Sequence, residues 1–241
     1  MSQYASFCKN KKQFAVLVDP DKYSAKQLID LATIARKAMV SYLFIGGSLL
    51  EKDNLGNTIK VLKDHTDIPL IIFPGDTMQI NENADGILLL SLISGRNPDL
   101  LIGKHVIAAP YLKQSKLEIL PTGYMLIESG KSTTASYMSN TLPIPHDKDG
   151  IAVNTAIAGE MLGLKLIYMD GGSGAKNPIS LSMIERVKAN ISVPLIVGGG
   201  IRTPKEAADR YNAGADIIVV GNAIEDQQSL LYKIAEVTYS F

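Results

Sequence analysis

Cysteine is nearly absent from this chain. The single thiol, Cys8, excludes an internal disulfide framework and any zinc site built from cysteines. Net charge is absent as well: 24 Lys and Arg residues balance 24 Asp and Glu residues. A dedicated nucleic-acid binder would carry a basic excess, so no nucleic-acid partner is expected. Long apolar runs are missing too. The longest, Gly86–Ile93, is interrupted by Ser91 and falls far short of the ~20 residues that span a bilayer. The N-terminal stretch MSQYASFCKNKK is polar and lacks an apolar signal core. The expected location is therefore cytoplasmic, with room for transient contact with a membrane surface.

What is present reads as globular. Apolar residues make up 46% and charged residues 20% of the 241, which excludes a disordered or fibrous chain. At roughly 150 residues per domain, the length allows one large domain or two small ones.

Short apolar runs recur along the chain. They are Phe14–Val18, Tyr42–Ile45, Leu70–Phe73, Gly86–Leu90, Thr122–Ile127, Leu164–Met169, Pro194–Val197 and Ile217–Val220. Most are followed by a helical pattern. Ser24 and Gln27 have capping-box spacing, and Leu28, Leu31, Ala32 and Ala35 give that helix an apolar face. Further helices are expected around Ile59–Lys63, Ala152–Leu162 and Leu181–Ala189, from Pro204 onward, and over Ile224–Val237. The runs recur about every 30 residues, the size of a βα unit. Nearly continuous apolar strands need both faces covered, as in a parallel sheet. The pattern predicts one (β/α)8 TIM barrel over residues 1–241, with a doubly wound open sheet as the alternative. Two segments break the rhythm. PGDTMQINENAD, after Phe73, is too short and polar for a good helix, so an irregular segment is expected there. A long polar loop, residues 128–150, follows Ile127.

In a barrel of this kind the active site lies at the C-terminal ends of the strands. Asp19-Pro20-Asp21-Lys22 follows the first run. Two carboxylates and an ammonium suit a divalent metal or a diphosphate, although Asp-Pro also makes turns and caps helices. Gly46-Gly47-Ser48 permits close backbone approach and offers a hydroxyl, or merely caps a helix. Asp170-Gly171-Gly172-Ser173-Gly174 could present N–H groups to an anion, with Asp170 holding a hydroxyl or acting as base. Gly198-Gly199-Gly200-Ile201-Arg202 and Gly221-Asn222 carry the strongest signal, because the loops after strands 7 and 8 of such barrels frequently bind phosphate. His65, His105 and His146 are scattered and read as ordinary surface or loop residues. An acidic site opposite a phosphate cradle fits transfer of a group from a diphosphate to a phosphate-bearing alcohol. It also fits phosphosugar chemistry.

LVDPDK (17–22), FIGGS (44–48), ILLLSLISGRNPDLLIGKHV (87–106), LPTGYMLI (120–127), TLPIP (141–145), YMDGGSGA (168–175), PLIVGGGIRTPKEA (194–207) and AGADIIVVGNAIE (213–225) together resemble the geranylgeranylglyceryl phosphate synthase family. The likeness is to the archaeal and Bacteroidetes-type branch more than to its heptaprenylglyceryl relatives. It implies a Mg²⁺-dependent prenyltransferase joining sn-glycerol 1-phosphate to geranylgeranyl diphosphate. By the same resemblance Asp19 and Ser48 bind Mg²⁺, and Lys22 lies beside the diphosphate. Tyr168, Asp170, Gly172, Ser173 and Gly174 hold the glycerol part, and Gly199, Gly200, Gly221 and Asn222 hold its phosphate. Asp170, with Tyr168, is the catalytic candidate. The family usually carries glutamate there, so a water could stand between this shorter side chain and the hydroxyl. Leu88–Ile93, Tyr124 and the segment after the third strand are candidate walls of a prenyl groove whose depth sets chain length. The resemblance also implies a homo-oligomer. A different prenyl chain length, a phosphosugar isomerase or cyclase, and a non-catalytic prenyl-lipid or phosphometabolite carrier are the competing readings.

Overall fold

Eight parallel strands close on themselves in sequence order, forming a (β/α)8 barrel. They are β1 (Gln13–Val18), β2 (Tyr42–Ile45), β3 (Leu70–Ile72), β4 (Gly86–Leu92), β5 (Glu118–Leu126), β6 (Leu166–Asp170), β7 (Leu195–Gly198) and β8 (Ile217–Val220). The structure is a computed structural model describing residues 2–9, 11–77 and 79–241; Met1, Asn10 and Met78 lie outside the described residues. The ring is closed at β1, where Val16 pairs with Leu43 of β2 on one side and Val220 of β8 on the other.

Strand alternation divides the apolar residues into two clusters. Ala15, Tyr42, Phe44, Leu120, Tyr168, Ile196 and Val219 belong to the inner one. Val16, Val18, Leu43, Ile45 and Ile218 belong to the cluster shared with the surrounding helices. A short helix, α1 (Gln3–Phe7), closes the end of the barrel where the strands begin. Phe7 stacks on Tyr42 with ring centroids 4.4 Å apart, and Glu118 accepts a hydrogen bond from Tyr4 N at 2.9 Å. The sequence gives little sign of this helix, because five residues cannot show a period.

The outer ring is α2 (Ala25–Lys37), α3 (Leu55–His65), α4 (Lys104–Gln114), α5 (Thr134–Met138), α6 (Asp149–Met161), α7 (Leu181–Lys188), α8 (Pro204–Asn212), α9 (Asn222–Asp226) and α10 (Ser229–Tyr239). The Ser24–Gln27 capping box forms, and Thr203 with Glu206 makes a second one before Pro204. The described residues between β3 and β4 hold no helix, as expected from their composition. No helix among the described residues is long and apolar enough to cross a membrane.

Several features differ from the sequence reading, among them α5, which forms inside the segment expected to be a long polar loop. Helix α4, preceded by a π-helical turn at Asp99–Gly103, was not anticipated, since Pro110 lies inside it and its apolar residues have no clear period. Strand β5 starts at Glu118, ahead of Pro121, rather than at Thr122. Asp170 is the last residue of β6, paired with Gly198 of β7, instead of the first residue beyond it. The final helix is two helices, because Gln227 adopts an extended conformation between α9 and α10.

Candidate active site

A polar cavity of about 440 Å³ opens at the C-terminal ends of the strands. Asp19, Lys22, Ser48, Tyr168, Asp170, Gly172, Ser173, Gly174, Gly199, Gly200, Gly221 and Asn222 all line it. The barrel brings these residues together from β1, β2, β6, β7 and β8.

On one side is the β1 loop. Asp19 Oδ1 accepts from Asp21 N at 3.0 Å, closing an Asx turn. Its Oδ2 lies 3.8 Å from Lys22 Nζ and beside Gly47, where an added Cβ would sit 3.7 Å away. Asp19 and Ser48 thus present oxygen donors from adjacent loops. Asp21 turns aside instead: its Oδ2 accepts from Glu51 N at 2.6 Å. Lys22 reaches across to the β8 side, where its Nζ is 2.8 Å from Glu225 Oε2. Sequence reasoning missed Glu225, which ends the AGADIIVVGNAIE segment (213–225) but follows a helix start with no feature of its own.

The opposite side is built from glycines. Gly199 has φ +85°, and a Cβ there would fall 2.7 Å from Gly171 N. The β6 and β7 loops touch at a distance that only glycine permits. Gly172 also has positive φ, with Thr133 packed where a side chain would be. Ser173 Oγ donates to Asn222 Oδ1 at 3.0 Å, tying the β6 loop to the β8 loop. Backbone N–H groups of such loops form a concave site for an anion.

Asp170 lies at the base of the cavity and is buried. Tyr124 Oη donates to its Oδ2 at 2.6 Å, and Gly172 N donates to its Oδ1 at 2.7 Å. Burial pushes the carboxyl above the usual aspartate range, while the two donors act in the opposite direction by favouring the charged form. The phenols of Tyr124 and Tyr168 are pushed well above their ordinary value, chiefly by burial and then by the Asp170 charge. Both stay neutral donors. Gly198 leaves room for Tyr168: a Cβ at Gly198 would be 2.6 Å from the phenol oxygen.

A second cavity, of about 710 Å³, adjoins the first. Leu88, Leu90, Leu92, Tyr124, Ile80 and Ala108 are among its walls, so the described residues after β3, which hold no helix, and the inward face of β4 create an apolar groove. His105, read from sequence as a surface or loop residue, lines this groove with Nε2 3.3 Å from Ser91 Oγ. No pattern flagged it, because its helix was itself unanticipated. Among the described residues, Gly47, Ser48, Leu49 and Phe73 line both cavities. A molecule with a charged head and a long apolar tail would cross at that point.

The PcrB family model matches residues 7–238. A geranylgeranylglyceryl phosphate synthase of Chitinophaga pinensis is 52% identical over 241 residues, covering 98% of this chain and 96% of its own. One from the archaeon Methanosphaera stadtmanae is 36% identical, covering 95% and 94%. Among solved structures, (S)-3-O-geranylgeranylglyceryl phosphate synthase from Thermoplasma acidophilum, in complex with its substrate sn-glycerol-1-phosphate, superposes with a TM-score of 0.94 at 30% identity over the whole of both chains. On the family match, and on relatives that share its full length as well as its fold, the chain belongs to the PcrB family.

Proposed function

We infer that this protein is a prenyltransferase joining sn-glycerol 1-phosphate to geranylgeranyl diphosphate, with an ether and free diphosphate as products. One observation carries the reading: a polar cavity with a glycine cradle meets an apolar groove at Ser48 and Phe73. The names of the relatives and the glycerol phosphate bound by the Thermoplasma neighbour support it.

In this reading the N–H groups of Gly199, Gly200, Gly221 and Asn222 hold the phosphate of sn-glycerol 1-phosphate. Tyr168, Gly172, Ser173 and Gly174 orient its glycerol portion, and Lys22 contacts the prenyl diphosphate. The tail lies along Leu88, Leu90 and Tyr124. Tethering by the phosphate fixes the 3-hydroxyl for attack on the allylic carbon. Asp170 orients that hydroxyl and takes its proton, directly or through a water.

Asp19 and Ser48 fit Mg²⁺. Their donors are hard oxygens, and no group of three His, Cys, Asp or Glu side chains suited to a metal occurs among the described residues. An ion held there would depend on the substrate's own phosphates, as Mg²⁺ commonly does. When bound, it would neutralise charge on the departing diphosphate.

A homo-oligomer in the cytoplasm belongs to the same proposal. Ile102, Val106, Ile107 and Tyr111 are each more than 60% exposed, at 61, 66, 62 and 66%, and a second copy of the chain would cover them.

The test is incubation with labelled sn-glycerol 1-phosphate, Mg²⁺ and prenyl diphosphates of several lengths. The expected product is the ether, formed best with the geranylgeranyl donor and poorly from glycerol 3-phosphate. No ether with any donor overturns the reading, and a faster reaction with another donor corrects the chain length.

A further inference from the structure

We propose that Phe73 is a catalytic residue, its ring stabilising the positive charge that develops on the allylic carbon as diphosphate departs. The inference rests on the prenyltransferase reading and adds a residue to it.

Breaking the bond between C1 and the diphosphate oxygen sends the electron pair away with diphosphate. The positive charge left behind is shared between C1 and C3 of the prenyl chain. An oxygen lone pair of the glycerol 3-hydroxyl then forms the new C–O bond, and its proton passes to Asp170 or a water. C1 links the charged head to the tail, so it lies where the polar cavity meets the groove. Gly47, Ser48, Leu49 and Phe73 form that junction, and Phe73 alone among them has a π face.

The ring is held in place. It stacks on Tyr168 with centroids 5.2 Å apart and an interplanar angle of 23°. Tyr124 meets it edge-on at 5.8 Å and 69°, and Tyr124 is itself perpendicular to Tyr168 at 5.5 Å and 89°. Its backbone is also fixed. Phe73 N donates to Ile45 O at 2.9 Å, and a Cβ on Gly46 would lie only 2.1 Å from Phe73 O. Phe73 keeps part of its surface open while Tyr124 and Tyr168 are buried behind it. A carbocation cannot be solvated by water without being captured by it. An aromatic face attracts a cation by its quadrupole and offers no nucleophile.

The experiment compares two ligands in the intact protein. One is a prenyl amine, whose ammonium is bonded to C1 and so brings a positive charge beside that carbon, bound together with inorganic diphosphate. The other is the neutral prenyl alcohol of equal length, bound in the same buffer. Phe73→Leu should weaken amine binding about 2- to 30-fold, the range of a cation–π contact, and leave the alcohol within about 2-fold. Replacing Phe73 with mono-, di- and trifluorinated phenylalanines keeps the shape while draining the π face, so kcat should fall stepwise even if the leucine variant misfolds. Equal losses for amine and alcohol, or a kcat flat across the fluorinated series, overturn the role of Phe73 while wild-type turnover stands. Absence of ether product in the wild type overturns the underlying reading instead.

Discussion

Tyr124 Oη donates a 2.6 Å hydrogen bond to Asp170 Oδ2 between neighbouring strands in the interior of the barrel. The phenol and the Gly172 N–H are the donors that favour the charged carboxylate against a burial that opposes it. A carboxylate raised above the ordinary aspartate range is a stronger base for accepting a proton.

Tyr124→Phe removes one of the two donors and leaves the burial. The Asp170 pKa should rise further, so less of the base is ionised at a given pH. The acid limb of kcat/KM should move to higher pH. Activity at neutral pH should fall about 10-fold, the worth of one charged hydrogen bond, and recover on the alkaline side. A pH–rate profile that keeps its shape would show that Asp170 does not take the proton.

Asp170→Asn separates chemistry from stability. Turnover should drop by about 10²–10⁴ if general-base catalysis is lost. Stability should move the other way. With a native pKa above the unfolded one, the native carboxyl holds more protons between the two values. Wild-type stability from this group is therefore present below the unfolded pKa and lost as pH rises through the native one. The asparagine variant should match the wild type in acid and melt higher than it at alkaline pH. Thermal melts across pH measure the crossover.

Asp19→Ala tests the metal assignment. Its Oδ2 is the oxygen left free of the Asx turn and faces the β2 loop. The Mg²⁺ concentration for half-maximal binding of a prenyl diphosphate should rise at least about 10-fold, and product should nearly vanish. Unchanged Mg²⁺ dependence of both binding and turnover would remove Asp19 from the site.

Much of the barrel is legible in the sequence because its strands are covered on both faces. LIV-rich runs such as Ile217–Val220 have few other uses. The glycine cradle is legible because three consecutive glycines, Gly198–Gly200, serve no ordinary turn. Helix α4 is not legible, because Pro110 contradicts a helix locally and packing overrides it. The pairing of Tyr124 with Asp170 is hidden for another reason. It joins residues 46 positions apart, and only the register of β5 on β6 brings them together. Glu225 and Phe73 are equally silent, since their importance lies in what faces them.

Gly199→Ala should damage both fold and substrate binding. A Cβ there would meet backbone at 2.7 Å, and φ +85° is strained for alanine. The expected cost is about 1–3 kcal/mol in unfolding free energy, with a raised KM for sn-glycerol 1-phosphate and little change in that for the prenyl donor. Ordinary stability and an unchanged glycerol phosphate KM would mean that the β6 and β7 loops do not need this contact.

Glu225→Gln addresses a conflict visible at the mouth of the polar cavity. Lys22 Nζ is 2.8 Å from Glu225 Oε2 and 3.8 Å from Asp19 Oδ2, so the ammonium is already engaged with two carboxylates. A diphosphate must compete with Glu225 for it, and meets the repulsion of that carboxylate as well. Glutamine keeps the shape of the side chain and removes its charge. The KM for the prenyl diphosphate should fall about 2- to 5-fold, in keeping with the modest worth of a partly exposed ion pair. Added salt should shrink the difference, because it screens both the pair and the repulsion. If the KM instead rises and kcat falls with it, Glu225 is holding Lys22 in its working position, and loss of the pair costs more than release of the charge contributes.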